Sequence, residues 1–591
     1  MPRPGLSFEV ARSGQPVLGV RSDRGAMPAL LQRGPVDRAV LVEGKAEFER
    51  VFGSPVLGML GARAARAYFA NGGVDLVVSR VRSPLSTSAA GEMPLTGVSG
   101  ATSFALRLRD PGAYGNGTRL VGAPTVARRV EGTTNAAGTR LDFGPAPTSD
   151  VDLPLLVSNG LTTGWARIVG ADATGYLITP LPGLGSASVS ATVYRTTFAI
   201  RIVEHDRPDV LVEGLALNEL ETFEGTPLEP VGSPLAGSGD IPPAGASVAL
   251  TGGTDGLDIA GLSPPALAVA EAELASAFRV AFDALDASEL PDIVFCADLW
   301  SRVFQTKGIA RLALTAASSR SLAVDLVRRA SRIRDRVVVL DPPLVRGGDT
   351  SAASAIEVLS WRAELGAELG EERDFAAAYA PWVRTLSPDL RHRGDDTLIE
   401  PPSPFVAGRM ARTALTRGAW ISTGNVALEG VVGSALALSA REEEDLLDAG
   451  VDPLRVSSAG VTIQGVRSLA WPDRLEWGFL SARRLFNYLR RALGPIGSRY
   501  VFEPNGPATW AQLRRDLEAL LRDLFARGAF AGASTREAYF VRCDASLNPE
   551  DARESGVLTA QIGVAPAAPL EFLVVRLVAT RDASVVLEEG A

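Results

Sequence analysis

At 591 residues, with 46% hydrophobic and 21% charged side chains, the chain is several times the size of one domain and rich enough in apolar material for separate cores, which excludes disordered and collagen-like classes. A formal net charge of -9 and a pI near 5.2 oppose strong attraction to nucleic acid or to an anionic membrane surface. The two cysteines, Cys296 and Cys543, lie far apart, which fits synthesis in a reducing compartment rather than a disulfide framework.

The first ten residues carry Pro2, Pro4 and Gly5 where a signal peptide needs a continuous apolar core, and no later stretch reaches transmembrane length without charges. The expectation is therefore cytoplasmic assembly, no direct membrane insertion, and release, if any, by lysis or another non-classical route. Alternating Leu6, Phe8 and Val10 predict a short strand at the extremity. Val40–Val42 reads as a strand, Leu57–Phe69 as a helix with Leu57, Leu60, Ala64 and Tyr68 on one face, and Leu76–Val81 as a second strand. From Thr96 to Gly256 short β-prone runs alternate with Gly, Pro, Asn, Ser and Thr clusters, predicting a β-rich insertion. Its clearest strand is Thr197–Val203.

After Gly252, Gly253 and Gly256 the α/β pattern resumes: helix Glu271–Leu285, strand Ile293–Ala297, helix Leu322–Ala330 and strand Val337–Leu340. The last third holds amphipathic helices at Leu480–Leu493 and Ala508–Phe525, then strands at Tyr539–Cys543, Leu558–Gly563 and Phe572–Val578. The predicted fold class is thus α/β and α+β multidomain. An N-terminal extension (1–25) precedes an α/β domain in two halves (26–95 and 257–370), interrupted by an outward β-rich insertion (96–256). A C-terminal α+β domain (371–591) follows and ends in a linking strand.

Little in the chain points to covalent chemistry. No glycine-rich loop is followed by Lys-Ser or Lys-Thr, and Gly183 with Gly185 is only a fragment of a dinucleotide fingerprint. His205 and His392 have no partner at metal-ligand spacing. Cys296 and Cys543 sit in apolar runs and read as core thiols. Asp395 and Asp396 adjoin Arg393 and Gly394 in a polar loop, and Glu442–Asp445 reads as the solvated face of a helix. We therefore expect no catalytic, metal or cofactor-binding residues and no cofactor. In Ala508–Phe525 the cations Arg514, Arg515 and Arg522 lie among Asp516, Glu518 and Asp523, a solvated face for which a protein partner is the alternative.

An ordered series of motifs resembles the contractile tail sheath family of phages, tailocins, type VI secretion and extracellular injection systems. It opens with Arg33-Gly-Pro-Val36, Glu47-Phe-Glu-Arg-Val-Phe-Gly53, Tyr68-Phe-Ala-Asn-Gly-Gly73 and Asp110-Pro-Gly-Ala-Tyr-Gly-Asn116, where Tyr114 replaces the family's usual Trp. It continues with Leu250-Thr-Gly-Gly-Thr-Asp-Gly256, Asp335-Arg-Val-Val-Val-Leu-Asp-Pro-Pro343, Ala378-Tyr-Ala-Pro-Trp382, Pro401-Pro-Ser-Pro-Phe-Val-Ala-Gly408 and Arg417-Gly-Ala-Trp420. The most specific block runs from Asp452-Pro-Leu-Arg455, where the family often has Asn first, through Arg483-Arg-Leu-Phe486, Phe502-Glu-Pro-Asn505, Trp510, Phe540-Val-Arg-Cys-Asp544 and Ile562-Gly-Val-Ala-Pro566 to Glu571-Phe572. Pro124–Ser190 matches no motif of the series.

The resemblance implies a structural subunit that stacks as six-fold rings around an inner tube and contracts to drive the tube through an envelope. The implied partners are further copies of itself, the tube protein, and baseplate and terminator or cap proteins, with no nucleic acid. It also implies strand exchange between subunits, for which Leu6, Phe8 and Val10 at one end and Phe572, Val574, Val575 and Leu577 at the other are the candidates, because each run is strand-like and lies at an extremity with no evident hairpin partner. Arg514, Arg515 and Arg522 are the candidate tube contact. Trp382, Trp420 and Trp510 are expected to anchor packing. The alternatives are an α/β enzyme, suggested by patterning alone, and a monomeric adhesin or binding module built on the insertion.

Overall fold

The computed structural model describes residues 20–589 apart from 37, 57–58, 98–101, 205–206, 233–239, 289–290, 305–311, 345–352, 387–396, 459, 568–572 and 580–584. The predicted strand Leu6–Val10, both histidines, Asp395, Asp396 and Phe572 lie outside the described residues. The chain divides into two compact units, one of Met1–Leu31, Pro35–Val81 and Ile259–Ala591, the other of Gln32–Gly34 and Arg82–Asp258.

The first unit is built on an eight-stranded sheet. In chain order its strands are β1 (Gly25–Leu30), β2 (Val40–Glu43), β3 (Asp75–Val81), β4 (Ile293–Phe295), β5 (Val337–Leu340), β6 (Ala376–Ala380), β7 (Val451–Ser457) and β8 (Gly460–Ile463). In space they run β2-β3-β1-β4-β5-β6-β7-β8, with β2 and β8 antiparallel at the two edges and the rest parallel. Central strands covered on both faces must be apolar throughout, and β5 is Val-Val-Val-Leu with every residue buried. Helices α1 (Lys45–Phe52) and α2 (Gly61–Ala70) follow β2, and α3 (Pro264–Asp286), α4 (Ala316–Ile333), α5 (Ala355–Leu369) and α6 (Ser403–Thr416) join the later strands. Alternate residues Met27, Ala29, Ile293, Phe295, Val337 and Val339 form one core with Ala64 and Tyr68 of α2 and Phe405 and Met410 of α6, while α3 and α4 pack on β1, β3 and β5 and on each other.

The helix predicted from Leu57 begins at Gly61, and strand β1 was not legible at all. β1 reads Gly-Ala-Met-Pro-Ala-Leu, and a proline argues against a central strand. It is accommodated because β4 pairs with β1 only at Gly25 and Ala26, so from Met27 onward β3 is the one paired neighbour. The sheet also crosses residue 370, where the sequence suggests a change of domain, since β5, β6 and β7 are adjacent strands.

Asp452 on β7 is fully buried, and its Oδ1 accepts the Arg467 backbone N–H at 2.9 Å. Burial pushes its carboxyl up to about 8, so it is mostly protonated at neutral pH and close in chemistry to the amide that the motif often carries here. Because the folded value lies above that of a free carboxyl, its stabilisation is fully present below about pH 4 and is lost as pH rises through 8. Asp452→Asn removes that dependence. Urea unfolding should show the variant gaining on the wild type between pH 4 and pH 8, by at most about 1.4 kcal/mol per pH unit; a difference that does not change with pH contradicts the assignment.

The second unit is inserted between β3 and α3 and is almost entirely β. Its eight-stranded sheet is organised by two strands of 16 residues, Arg119–Thr134 and Ser188–Val203, paired antiparallel from Arg119↔Val203 to Thr133↔Ser188. A three-stranded sheet includes Ala90–Leu95 against Thr102–Leu108, so the β-rich unit begins before Thr96, and Met93 and Leu95 belong to its core with Phe104 and Leu106. Two of the motifs meet within this unit: Asn116 and Gly253 exchange a pair of hydrogen bonds at 2.8 Å, and a Cβ on Gly253 would lie 2.4 Å from the Gly112 carbonyl oxygen. Gly112, Gly117, Gly252 and Gly256 all take positive φ, the conformation these turns require.

The C-terminal part of the first unit packs α7 (Ala440–Asp448) beside β7, then α8 (Leu480–Ser498) and α9 (Pro507–Ala526) with an antiparallel sheet of β9 (Tyr539–Arg542), β10 (Leu558–Val564), β11 (Leu573–Ala579) and β12 (Val585–Glu589). Glu442 caps α7 in a capping box with Ser439, whereas Glu443 is buried against Arg455, so the acidic run is not wholly solvated. Trp420, Trp477, Trp510 and Cys543 fill the core beneath this sheet. Trp382, Trp420 and Trp510 are buried with their indole N–H groups donating to Pro342, Arg527 and Asn505, as packing anchors do. Cys296 and Cys543 are buried free thiols.

Candidate assembly surfaces

An open α/β sheet binds ligands in the crevice beyond the carboxyl ends of its strands, where the winding reverses. Here that reversal falls between β1 and β4, and the protein's own carboxylate fills the crevice. Asp298, fully buried after β4, accepts the backbone N–H of Leu30 at 2.9 Å and of Leu60 at 2.8 Å. Leu60 is the N-cap of α2 and supplies no side-chain cap, so Asp298 satisfies the helix N-terminus where a phosphate would sit. The fit is tight: a Cβ on Gly61 would lie 2.7 Å from the Leu30 carbonyl oxygen. Burial pushes the Asp298 carboxyl up to about 7 against the pull of the Leu60, Leu30 and Gly61 amides. Among the described residues no cluster of His, Cys, Asp and Glu could hold a metal ion, and no helix is long and apolar enough to cross a membrane.

The candidate tube contact and the candidate C-terminal linking strand both lie at the C-terminal end of the chain. α9 buries Trp510, Leu513, Leu517, Leu520, Leu521 and Leu524 and leaves Arg514, Arg515 and Arg522 exposed on its outer side. Arg514 makes one loose ion pair, 3.8 Å from Glu518.

Val574, Val575 and Leu577 lie on β11, but the expectation that this run lacks a hairpin partner is corrected. β11 pairs with β10 from Leu558↔Ala579 to Val564↔Leu573 and with β12 from Val575↔Glu589 to Ala579↔Val585. Both sides of β11 are therefore taken within the chain, and the outer strand at this end of the sheet is β12. The missed signal is Val585-Val-Leu587, an apolar run that begins six residues after Ala579.

At the other end of the chain, the segment leaving the described residues is held by α8. Arg484 donates to the Ser22 carbonyl at 3.1 Å and Arg491 to the Arg21 carbonyl at 3.4 Å, while Arg21 pairs with Asp23 and Asp75, each at 2.6 Å. Val20 packs against the core beneath the C-terminal sheet.

Among the described residues, a buried carboxylate therefore lies in the crevice, α9 carries a charged outer face, and β12 is the outermost strand of the C-terminal sheet. Residues 474–580 match the phage tail sheath C-terminal domain family. Over 274 residues the chain is 23% identical to the tail sheath protein of Vibrio phage KVP40, covering 45% of this chain and 40% of that one. The chain spans about two fifths of the length of the curated relatives it matches. In fold it is similar to the sheath tail protein Lin1278 from Listeria innocua, at 10% identity and a TM-score of 0.54 over 95% of this chain and 96% of that one. It is similar also to a chain of the anti-feeding prophage baseplate in its contracted state, at 15% identity and a TM-score of 0.52 over 97% of each. Residues 474–580 are thus similar to the phage tail sheath C-terminal domain, and less than half of the chain is similar in sequence to the curated tail sheath proteins.

Proposed function

We propose that this protein is the structural sheath subunit of a contractile phage-tail-like machine. The sheath C-terminal domain carries this conclusion: it spans 474–580 and contains both the charged helix α9 and most of the sheet that ends on β12. Copies stack as six-fold rings around an inner tube, and contraction drives the tube through a target envelope, with baseplate and cap proteins closing the ends. The particle is assembled in the cytoplasm and is part of a phage tail or tail-like body. The work of contraction comes from new contacts between subunits and not from covalent chemistry, which fits a crevice occupied by Asp298.

The inner face of the ring presents Arg514, Arg515 and Arg522 to the tube. Reversing all three to Glu leaves the buried side of α9 untouched, so the fold persists while association with the tube weakens. Exposed charges act mainly on encounter and salt dependence. Co-sedimentation with the tube protein should fall about tenfold or more at low salt and less at high salt; unchanged co-sedimentation removes the tube-contact assignment.

A further inference from the structure

The chain holds four Asn-Gly pairs, at Asn71, Asn116, Asn159 and Asn505. Such a pair has a reaction of its own. Glycine has no Cβ to shield its amide nitrogen, and that nitrogen can close a succinimide ring on the carboxamide carbon of the preceding asparagine. The fold decides which pairs are able to react.

Three of them are locked. The leaving group of the reaction is the side-chain Nδ2, and here the fold holds it. Asn71 donates to the Ala67 carbonyl at 2.9 Å and the Glu429 carbonyl at 3.2 Å, Asn116 to the Gly253 carbonyl at 2.8 Å, and Asn505 to the Val557 carbonyl at 2.9 Å. Their Oδ1 atoms accept in turn from Glu429 at 2.9 Å, Gly253 at 2.8 Å and Trp510 at 2.7 Å. Ring closure at any of the three has to break these contacts first.

Asn159 is different. It opens the turn between strands Pro154–Ser158 and Thr163–Ala171, whose last pair is Ser158↔Thr163, and the tip stands in solvent, with Leu161 96% exposed. Among the described residues its Nδ2 donates to nothing. Its Oδ1 accepts the Leu161 N–H at 3.0 Å and the Thr162 N–H at 2.7 Å. These bonds turn the carboxamide back along the chain toward the Gly160 peptide and polarise its C=O, as paired backbone donors do for a developing oxyanion. The Gly160 N–H, on the attacking nitrogen, donates to Ser158 Oγ at 3.2 Å, an acceptor placed to relay its proton to solvent. Gly160 has a positive φ and open space where a Cβ would stand, so nothing covers the approach.

We propose that Asn159 is a site of spontaneous deamidation, which gives the tip of this turn a negative charge as the protein ages. The Gly160 nitrogen gives up its proton to solvent and bonds to the Asn159 carboxamide carbon. The bond from that carbon to Nδ2 breaks, and Nδ2 leaves as ammonia with a proton from water. Water then opens the succinimide at either carbonyl, leaving aspartate or isoaspartate at position 159. No oxidant, cofactor or second protein takes part, and the inference is independent of the sheath reading.

Peptide mapping by mass spectrometry of the full chain, incubated folded in mildly alkaline buffer and in parallel in urea, tests it. In the folded chain Asn159 should convert about tenfold or more faster than Asn71, Asn116 or Asn505, each of which must open before it reacts. Enzymatic methylation of isoaspartate should label the same peptide. In urea the four pairs should react at similar rates, since the fold no longer distinguishes them. Gly160→Ala should suppress the conversion, because its Cβ crowds the attacking nitrogen, while circular dichroism stays unchanged. Asn159 left intact, conversion in the folded chain no faster than at the other three pairs, or undiminished conversion in Gly160→Ala would each overturn the proposal.

Discussion

Replacing Arg483 by Ala should destabilise the first unit by about 3–5 kcal/mol, the largest single-residue effect we expect on the fold. Arg483 is 1% exposed, and its Nη2 lies 2.5 Å from the Asp374 carboxylate, which is also buried. Its guanidinium stacks between Trp477, 3.7 Å from the ring centroid, and Phe375, at 4.2 Å. Truncation therefore leaves a buried carboxylate without its cation and opens a gap between two aromatic faces. Arg483→Lys should recover only part of the loss, since an ammonium carries the charge without the planar stack. Arg483→Met with Asp374→Leu should recover most of it by removing both charges at similar volume. Urea unfolding followed by tryptophan fluorescence checks this, with the two compact units allowed separate transitions. A loss below about 1 kcal/mol for Arg483→Ala would show that Asp374 finds compensation elsewhere.

Proline at Val575 should abolish long sheaths while leaving the eight-stranded sheet folded. Val575 opposes Ile562 on β10 and Glu589 on β12, so the substitution removes a ladder donor and forces a ring into the middle of a sheet, where proline is otherwise found only at edges and bulges. The C-terminal sheet opens at β11, and β12 goes with it. β11 itself is paired on both sides within the chain; what the variant loses is the β12 edge, on which a strand from a neighbouring subunit would add about four backbone hydrogen bonds at a net ~1 kcal/mol each. Deleting Met1–Val10 tests the other end of the exchange, since it removes the Leu6, Phe8 and Val10 run and spares every described contact. Both variants should remain soluble, with normal far-ultraviolet circular dichroism from the α/β sheet. Sheaths of ordinary length from either one would defeat the strand-exchange proposal.

Much of this fold is legible in the sequence wherever burial imposes a simple pattern. Val337–Leu340 reads as a buried strand because all four residues are apolar and β-prone, and the structure has the same bounds. Helix α9 is recognisable because its leucines recur at helical spacing, and the structure adds only one residue at each end. β1 is illegible because tertiary pairing, not propensity, makes Gly-Ala-Met-Pro-Ala-Leu a strand. The pairing of β11 was missed because the short strand β12 supplies a partner within the chain, so an extremity in sequence is not an edge in space. Of the assembly surfaces, the cationic face of α9 follows from helical periodicity. The exposure of Phe502 is not legible, because a phenylalanine in a motif gives no sign of which way its loop turns. Asp298 was equally hidden: its role depends on β1, β4 and α2 meeting at one point.

The central claim, that this chain is a sheath subunit, is tested most directly by negative-stain electron microscopy of the full chain co-expressed with its genomic neighbours, a tube protein being sought among them. The expected result is a population of straight tubes with a regular axial striation and six-fold end views, in which the chain forms the outer layer around a thinner core. Particles that remain monomeric at every concentration and salt examined, with bare tubes alongside them, would contradict it.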